Sequence, residues 1–461
     1  MTPHIFRKSL RVPVPVETLF AWHERPGAFV RLSPPWDRPR VLEQSGGIRD
    51  GARVVLEVHA GPIPTTWRLT HRDYIANAQF RDVMESGPFA HWEHTHSFRA
   101  DGPNASVLDD EIAWSLPLGA LGDAVAGSYT TDTLERVFAY RHALLAGDIE
   151  RHAAFAATPR LRVAITGASG MIGTQLAAFL STGGHEVLRV GRGPVVPGKV
   201  DISWDPAKGT IDAAALEGVD AVVHLAGAPI AERWTAEHRK AIKESRVEGT
   251  SLLAHTLSRL TKKPRVLLSG SAIGIYGSRG DEILDEHSAL GGGYLAEVTR
   301  AWEAATAPAA AAGIRVVHLR TGIVQASAGG ALAKVALLFK TGLGARLGNG
   351  HQWVSPIALD DEIGAIHFAM MRDDIRGPVN LVAPTAVTNA DYSRLLADVL
   401  HRPLLASAPA FVLRAMLGSE MADETVLASQ RVRPTVLEKA GFVFRYPELV
   451  DMLRFELGLV P

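Results

Sequence analysis

The chain has 461 residues, 47% apolar and 21% charged, with a formal net charge of −1. That length suggests two to four domains with real cores, and the balanced charge gives no footprint for nucleic acid or an acidic surface. Cysteine is absent, which excludes disulfides, thiolate metal sites and cysteine nucleophiles. The N-terminus "MTPHIFRKSLRVPVPVETLF" has neither an apolar signal core nor a cleavage pattern. No run approaches the ~18–20 apolar residues of a membrane span, so the expected location is the cytoplasm.

Residues 1–155 are rich in Trp, His and Phe and read as short strands broken by turns. "PVETLFAWHERPGAFVRLSP" reads as one or two short helices. "ARVVLEVHA", "TTWRLTHRDY", "AQFRDVME", "HWEHTHSFRA" and "SVLDDEIAWSLP" read as antiparallel strands. Leu134, Val137, Phe138, Leu145 and Ile149 recur at helical spacing, which predicts a long closing helix. Strand, small helices, a run of strands and one long helix resemble the α+β helix-grip fold of the START/polyketide-cyclase-like (SRPBCC) superfamily. That resemblance implies an apolar cavity, with Trp67, Trp92, Trp114 and Phe98 as candidate lining and a hydrophobic small molecule as candidate ligand. In "GPFAHWEHTHSF", Trp92, His94 and His96 would share one strand face. A metal would want three convergent ligands. Spacing supplies two, His94 and His96, so the expectation here is a polar patch rather than a metal site.

After the linker "AATPRLR" the texture becomes alternating strand and helix. "RVAIT", "EVLRVGR", "DAVVHLAGA", "RVLLSGSA" and "IRVVHLRTG" are the strands, and they predict an α/β, Rossmann-type doubly wound parallel sheet. "TGASGMIG" follows the first strand and opens the helix "TQLAAFLSTGG". Gly167 would allow the tight turn, Gly170 the approach of a pyrophosphate, and Gly173 close helix–strand packing. Ser169, Met171 and Ile172 complete the turn, whose helix N-terminus would face the phosphates. Arg192, where an NAD-binding chain would carry Asp or Glu, offers a fork for a 2′-phosphate and predicts NADP(H). Leu225, Ala226 and Gly227, at the end of a later strand, would lie along the cofactor, and His224 would pack in the sheet.

These motifs resemble the extended short-chain dehydrogenase/reductase superfamily, and within it an atypical epimerase-like subgroup. "HLAGAPIAERWTAEHRKAIKESRVEGT", "SGSAIGIYGSRGDEILDE", "LAEVTRAWEAA", "LGNGHQWVSPIALDD" and "RVRPTVLEKAGFVFRYPEL" carry the resemblance. It implies an N-terminal helix-grip domain over 1–155, an NADP(H)-binding domain over 160–385, and a small C-terminal domain of the type labelled DUF1731 over 386–461. It also implies a serine and a tyrosine as the chemical pair, matched here by Ser271 and Tyr294. Superfamily members place a lysine four residues after the tyrosine, to hold its pKa below the ordinary ≈ 10. Here that residue is Val298. Arg246, Arg320 and Lys334 are candidate replacement cations, Tyr276 is a candidate hydroxyl, and Asp281, Glu282 and Glu286 are nearby carboxylates. Two readings stay open. One is an oxidoreductase or nucleoside-diphosphate-sugar epimerase-like enzyme acting on a small carbonyl or hydroxyl substrate. The other is an NADPH-responsive binding protein.

Overall fold

The computed structural model describes residues 2–37, 39–60 and 63–459. It divides into two compact units, one formed mainly by the residues up to Thr158, the other by Pro159–Ala177 and His185–Glu456.

The first unit is an antiparallel sheet with helices. Its strands are β1 (His4–Val12), β2 (Arg40–Ser45), β3 (Arg53–Ala60), β4 (Ile63–Ile75), β5 (Gln79–Ser86), β6 (His91–Ala100) and β7 (Ser106–Ser115). They lie in the order β1-β7-β6-β5-β4-β3-β2. Helices α1 (Val16–Glu24) and α2 (Ala28–Leu32) follow β1, and the long α3 (Ala120–Ala153) closes the unit. The helical stripe is as expected, with Leu134, Phe138, Leu145 and Ile149 buried, and Val137 packed beside them. Phe6, Ile112, Trp114, Leu134 and Phe138 form one core cluster. Val12, Leu19, Phe20, Trp22, Phe80, Phe98, Leu108, Leu145 and Ile149 belong to a second. Trp114 and Phe98 are therefore core residues. Trp67 and Trp92 are only half-buried and meet Phe89 in an edge-packed trio, with Trp67–Trp92 centroids 5.2 Å apart.

The second unit is a doubly wound sheet. Its strands include β8 (Arg162–Thr166), β9 (Glu186–Gly191), β10 (Ile202–Asp205), β11 (Thr210–Ile211), β12 (Ala221–His224) and β13 (Val266–Ala272), followed by the strands Arg315–Thr321 and Gly377–Leu381. The spatial order is β11-β10-β9-β8-β12-β13, then Arg315–Thr321, then Gly377–Leu381, parallel throughout except β10 with β11. The chain steps outward from β8 to β11 and then returns to β12 on the other side of β8. The order therefore reverses between β8 and β12, and such a reversal opens the crevice in which these sheets bind ligands. Helices α4 (Met171–Thr182), α5 (Ala236–Arg259) and α6 (Tyr294–Ala304) are the crossovers that matter for the site.

Residues 408–456 belong to the same unit. Ile283–Leu284 pairs in parallel with Arg431–Val432, and the Asp361 carboxylate accepts the backbone N–H groups of Arg445 and Tyr446. No described helix is long and apolar enough to cross a membrane.

Candidate functional site

The turn after β8 is built by close contacts that only glycine permits. Gly167 has φ +70, and a Cβ there would lie 2.9 Å from Ala226 N and from Leu225 C. At Gly173 a Cβ would lie 2.2 Å from Gly167 O and 2.8 Å from Ala168 Cα, so the helix can start against the turn only without a side chain. Gly170 is exposed, and its nearest obstacle is Gly167 O at 3.2 Å. Ser169 is exposed and Met171 and Ile172 are half-buried at the start of α4. The end of β12 is pinned to the same turn. Thr166 Oγ1 accepts Leu225 N–H at 3.1 Å and Ala226 N–H at 3.2 Å, and Leu225 N–H also reaches Thr166 O at 3.2 Å. Gly167–Gly173 and Leu225–Gly227 thus form one continuous rim at the switch point.

His224 is the peg behind that rim. Its Nδ1 meets the Thr166 hydroxyl at 2.7 Å and its Nε2 meets the Thr250 hydroxyl at 2.9 Å. Burial, with help from Arg246, lowers its pKa to about 4, so it is a neutral packing residue. Arg192 stands just past the end of β9, exposed, with no hydrogen bond or ion pair among the described residues. An unengaged guanidinium one strand from the glycine turn has the chemistry to take a 2′-phosphate.

Ser271 and Tyr294 are handled differently. Ser271 is 4% exposed at the end of β13, and its hydroxyl donates to Glu303 Oε1 at 2.7 Å. Glu303, on α6, also takes a two-pronged contact from Arg320, Nε to Oε1 at 2.8 Å and Nη2 to Oε2 at 3.0 Å. Ser271 and Arg320 are register partners on adjacent strands, so their side chains project from the same sheet face. Burial raises the Glu303 pKa, but Arg320 and His318 outweigh it and hold the group below its ordinary value. Arg320 Nη1 also donates to Tyr276 OH at 2.9 Å, and that hydroxyl donates to Asn380 Oδ1 at 2.8 Å. Tyr276 is fully committed, and each loop carboxylate is engaged, although Glu286 Oε2 is buried without a hydrogen-bond partner among the described residues. Asp281 accepts from Trp353 Nε1, Glu282 pairs with Arg279, and Glu286 accepts Asn380 N–H and Val436 N–H.

Tyr294 opens α6. Its hydroxyl donates to Arg239 O, and the Arg239 guanidinium lies 4.3 Å from its ring centre. Its pKa is raised by burial, with Arg239 opposing. Among the described residues it shares no hydrogen-bond partner with Ser271. The backbone N–H groups of Tyr294 and Leu295 are both taken by Glu424, each at 2.7 Å, a carboxylate cap on the positive end of α6. Val298 is buried, 3% exposed. One turn further on, Trp302 carries Arg246 5.1 Å from its ring centre. Arg246 also bonds Ala228 O at 3.0 Å, and burial lowers its pKa to about 10, so it stays a cation beside Gly227. Of the cations named from sequence, it is the one that reaches both the cofactor rim and the field of Tyr294.

In the first unit the strand register creates a polar cluster. His71, Asp82 and His94 are consecutive partners across β4, β5 and β6, and Phe80, His96 and Asp110 are consecutive partners across β5, β6 and β7. Successive same-face rungs therefore set two carboxylates among three imidazoles. His142 of α3 adds a contact from its Nε2 to Asp110 Oδ2 at 2.9 Å. Burial lowers His94 to about 4, whereas His96 is raised to about 9, because Asp110 and Asp82 outweigh its burial. Spacing along β6 reveals the two histidines but not Asp82, Asp110, His71 or His142, which long-range pairing delivers.

A doubly wound sheet with a glycine-cradled switch point is the frame of a dinucleotide-binding protein, and comparison with known proteins gives the family. The NAD dependent epimerase/dehydratase family matches residues 163–381, a domain of unknown function, DUF1731, matches 408–456, and the polyketide cyclase / dehydrase and lipid transport family matches 12–153. An epimerase family protein of Mycobacterium bovis is 40% identical over 294 residues, 64% of this chain and 96% of that protein. A chloroplastic epimerase family protein of Arabidopsis thaliana is 36% identical over 302 residues, 64% of this chain and 86% of that protein. The chain belongs to the epimerase family. Among solved structures, a nucleoside-diphosphate sugar epimerase from Corynebacterium glutamicum superposes with TM-score 0.82 at 34% identity, over 98% of this chain and 90% of that one. The human epimerase family protein SDR39U1 (isoform 2), solved with NADPH, gives TM-score 0.58 at 30% identity, over 64% of this chain and 98% of that one.

Proposed function

We propose that the protein is an NADP(H)-dependent oxidoreductase of the epimerase family, acting on a small carbonyl or hydroxyl substrate. The single observation that carries the cofactor reading is the fit of the turn. Gly167 and Gly173 leave no room for a side chain where the helix N-terminus opens, and Arg192 is unengaged beside it. The human relative solved with NADPH supports the same choice. Gly167–Gly173 would hold the pyrophosphate, Arg192 the 2′-phosphate, and Leu225, Ala226 and Gly227 the adjoining face. NADP(H) would supply or accept the hydride.

The chain's own contribution to the reaction would centre on Ser271. Its oxygen would take the hydrogen bond of a substrate hydroxyl, and its own proton already points at Glu303. Glu303 would receive that proton as the substrate loses its own, and Arg320 would hold the carboxylate in place. Tyr294, its phenol tied to Arg239 O, would serve as a wall of the site. The test is NADPH-linked turnover over a panel of aldehydes, ketones and nucleotide sugars. Activity lost in Ser271→Ala and Glu303→Gln but kept in Tyr294→Phe supports this assignment. Activity that survives Ser271→Ala overturns it.

A second reading has one specific observation behind it. Val298 is buried where a lysine would activate the tyrosine, and burial raises the Tyr294 pKa. On that reading the protein binds NADPH without turnover, and an apolar ligand sits by Trp67, Phe89 and Trp92. Tight NADPH binding with no turnover across the panel, and ligand affinity that changes with NADPH, would favour it.

A further inference from the structure

Asp82, His94 and His96 bring three metal-ligating groups together, with their ligand atoms all within 4.8 Å of one another. Around Asp82 Oδ2 the separations are longer than those of ordinary charged hydrogen bonds. His96 Nε2 is 3.4 Å from Asp82 Oδ2 and His94 Nδ1 is 3.8 Å from the same oxygen, long for a charged hydrogen bond. A tetrahedral ion with bonds of about 2.0–2.1 Å keeps its ligand atoms about 3.3 Å apart, close to these separations.

The surrounding groups orient the same three. His94 Nε2 lies 3.0 Å from Asp110 Oδ1, and His96 Nδ1 lies 2.8 Å from that atom, outside hydrogen-bonding alignment. Both rings thus turn one nitrogen toward Asp110 and the other toward Asp82. Metal-bound histidines commonly direct their second nitrogen to a carboxylate in this way. His71 Nε2, 2.8 Å from Asp82 Oδ1, holds that carboxylate from behind and leaves Oδ2 toward the rings. Phe80 stacks on His96 at 4.2 Å and fixes its plane. The charges of Asp82 and Asp110 both act on Arg141, which is half-buried.

We propose that Asp82 Oδ2, His94 Nδ1 and His96 Nε2 bind one divalent first-row transition ion, with Asp110 and His71 positioning the ligands and the remaining coordination completed by water or a bound ligand. Two imidazoles and one carboxylate suit zinc, cobalt or ferrous iron rather than calcium or magnesium. This site is independent of the reductase assignment.

The test uses the full-length, untagged chain, stripped with chelator and titrated with Co2+ and then Zn2+. One equivalent of Co2+ should bind with a visible d–d band, and Zn2+ should displace it. Affinity should fall at least a hundredfold in His94→Gln and His96→Gln, and ten- to a hundredfold in Asp110→Asn. Should the variants fail to fold, X-ray absorption on the zinc-loaded wild type still decides. Two imidazoles at about 2.0–2.1 Å are expected. Absorption without imidazole scattering, wild-type binding weaker than about 1 mM, or affinity unchanged in a folded His94→Gln variant would overturn the proposal.

Discussion

Ser271 gives its hydroxyl proton to Glu303 at 2.7 Å, while Tyr294 gives its proton to the backbone oxygen of Arg239. The two hydroxyls that the family resemblance pairs are thus committed to different partners. Ser271 belongs to a buried chain that runs through Glu303, Arg320 and Tyr276 to Asn380. The expected outcome on any accepted substrate is a kcat loss of about a hundredfold or more in Ser271→Ala and in Glu303→Gln. Tyr294→Phe should change kcat less than about threefold if, as proposed, its phenol stays tied to the backbone oxygen of Arg239. Steady-state NADPH kinetics check both.

Glycine substitutions should separate cofactor binding from folding. Gly173→Ala puts a methyl 2.2 Å from Gly167 O, so the backbone must move. Stability should fall by about 1–3 kcal/mol, as for other overpacked positions, and NADPH affinity should fall with it. Gly170→Ala meets nothing nearer than 3.2 Å and should leave the unfolding midpoint nearly unchanged while still weakening NADPH binding. Chemical denaturation and titration calorimetry on the same two variants measure the contrast.

The buried acid Glu362 makes stability depend on pH. Burial raises its pKa from 4.5 to about 8, opposed only in part by the hydrogen bond from Thr321. The folded chain therefore holds a proton that the unfolded chain has released. Stability from this group is complete below about pH 4.5 and declines until about pH 8. Glu362→Gln, which mimics the protonated form, should gain thermal stability relative to wild type as pH rises from 6 to 9, in scans at matched ionic strength. An identical pH profile in the two proteins would refute the assignment.

Local pattern carried much of the fold. The expected strand at Arg162–Thr166 matches the observed one, and the α3 stripe from Leu134 to Ile149 follows the predicted spacing. Failures came where local pattern carries no signal. Strand β2 is exposed along its whole length, so no alternation marks it. Helix α3 begins at Ala120, fourteen residues before Leu134, the first residue of the expected stripe, because its first turns are largely exposed. At the site, the positions of the glycine turn between β8 and α4 and of Arg192 just past β9 were legible, because each is contiguous with its strand. Glu303 and Glu424 were not, since each acquires its role from a partner in a distant segment. Asp82 was hidden in the same way. It pairs with His94 only through the antiparallel register of β5 and β6.

The cofactor assignment meets its most direct test in calorimetric titration of the full-length chain with NADPH and NADH, repeated on Arg192→Ala. The guanidinium should favour NADPH about ten- to a hundredfold, the worth of one or two charge-assisted hydrogen bonds. In Arg192→Ala the preference should collapse through loss of NADPH affinity alone, with NADH binding unchanged. Equal affinities for the two cofactors in the wild type, or no binding of either, would contradict the account.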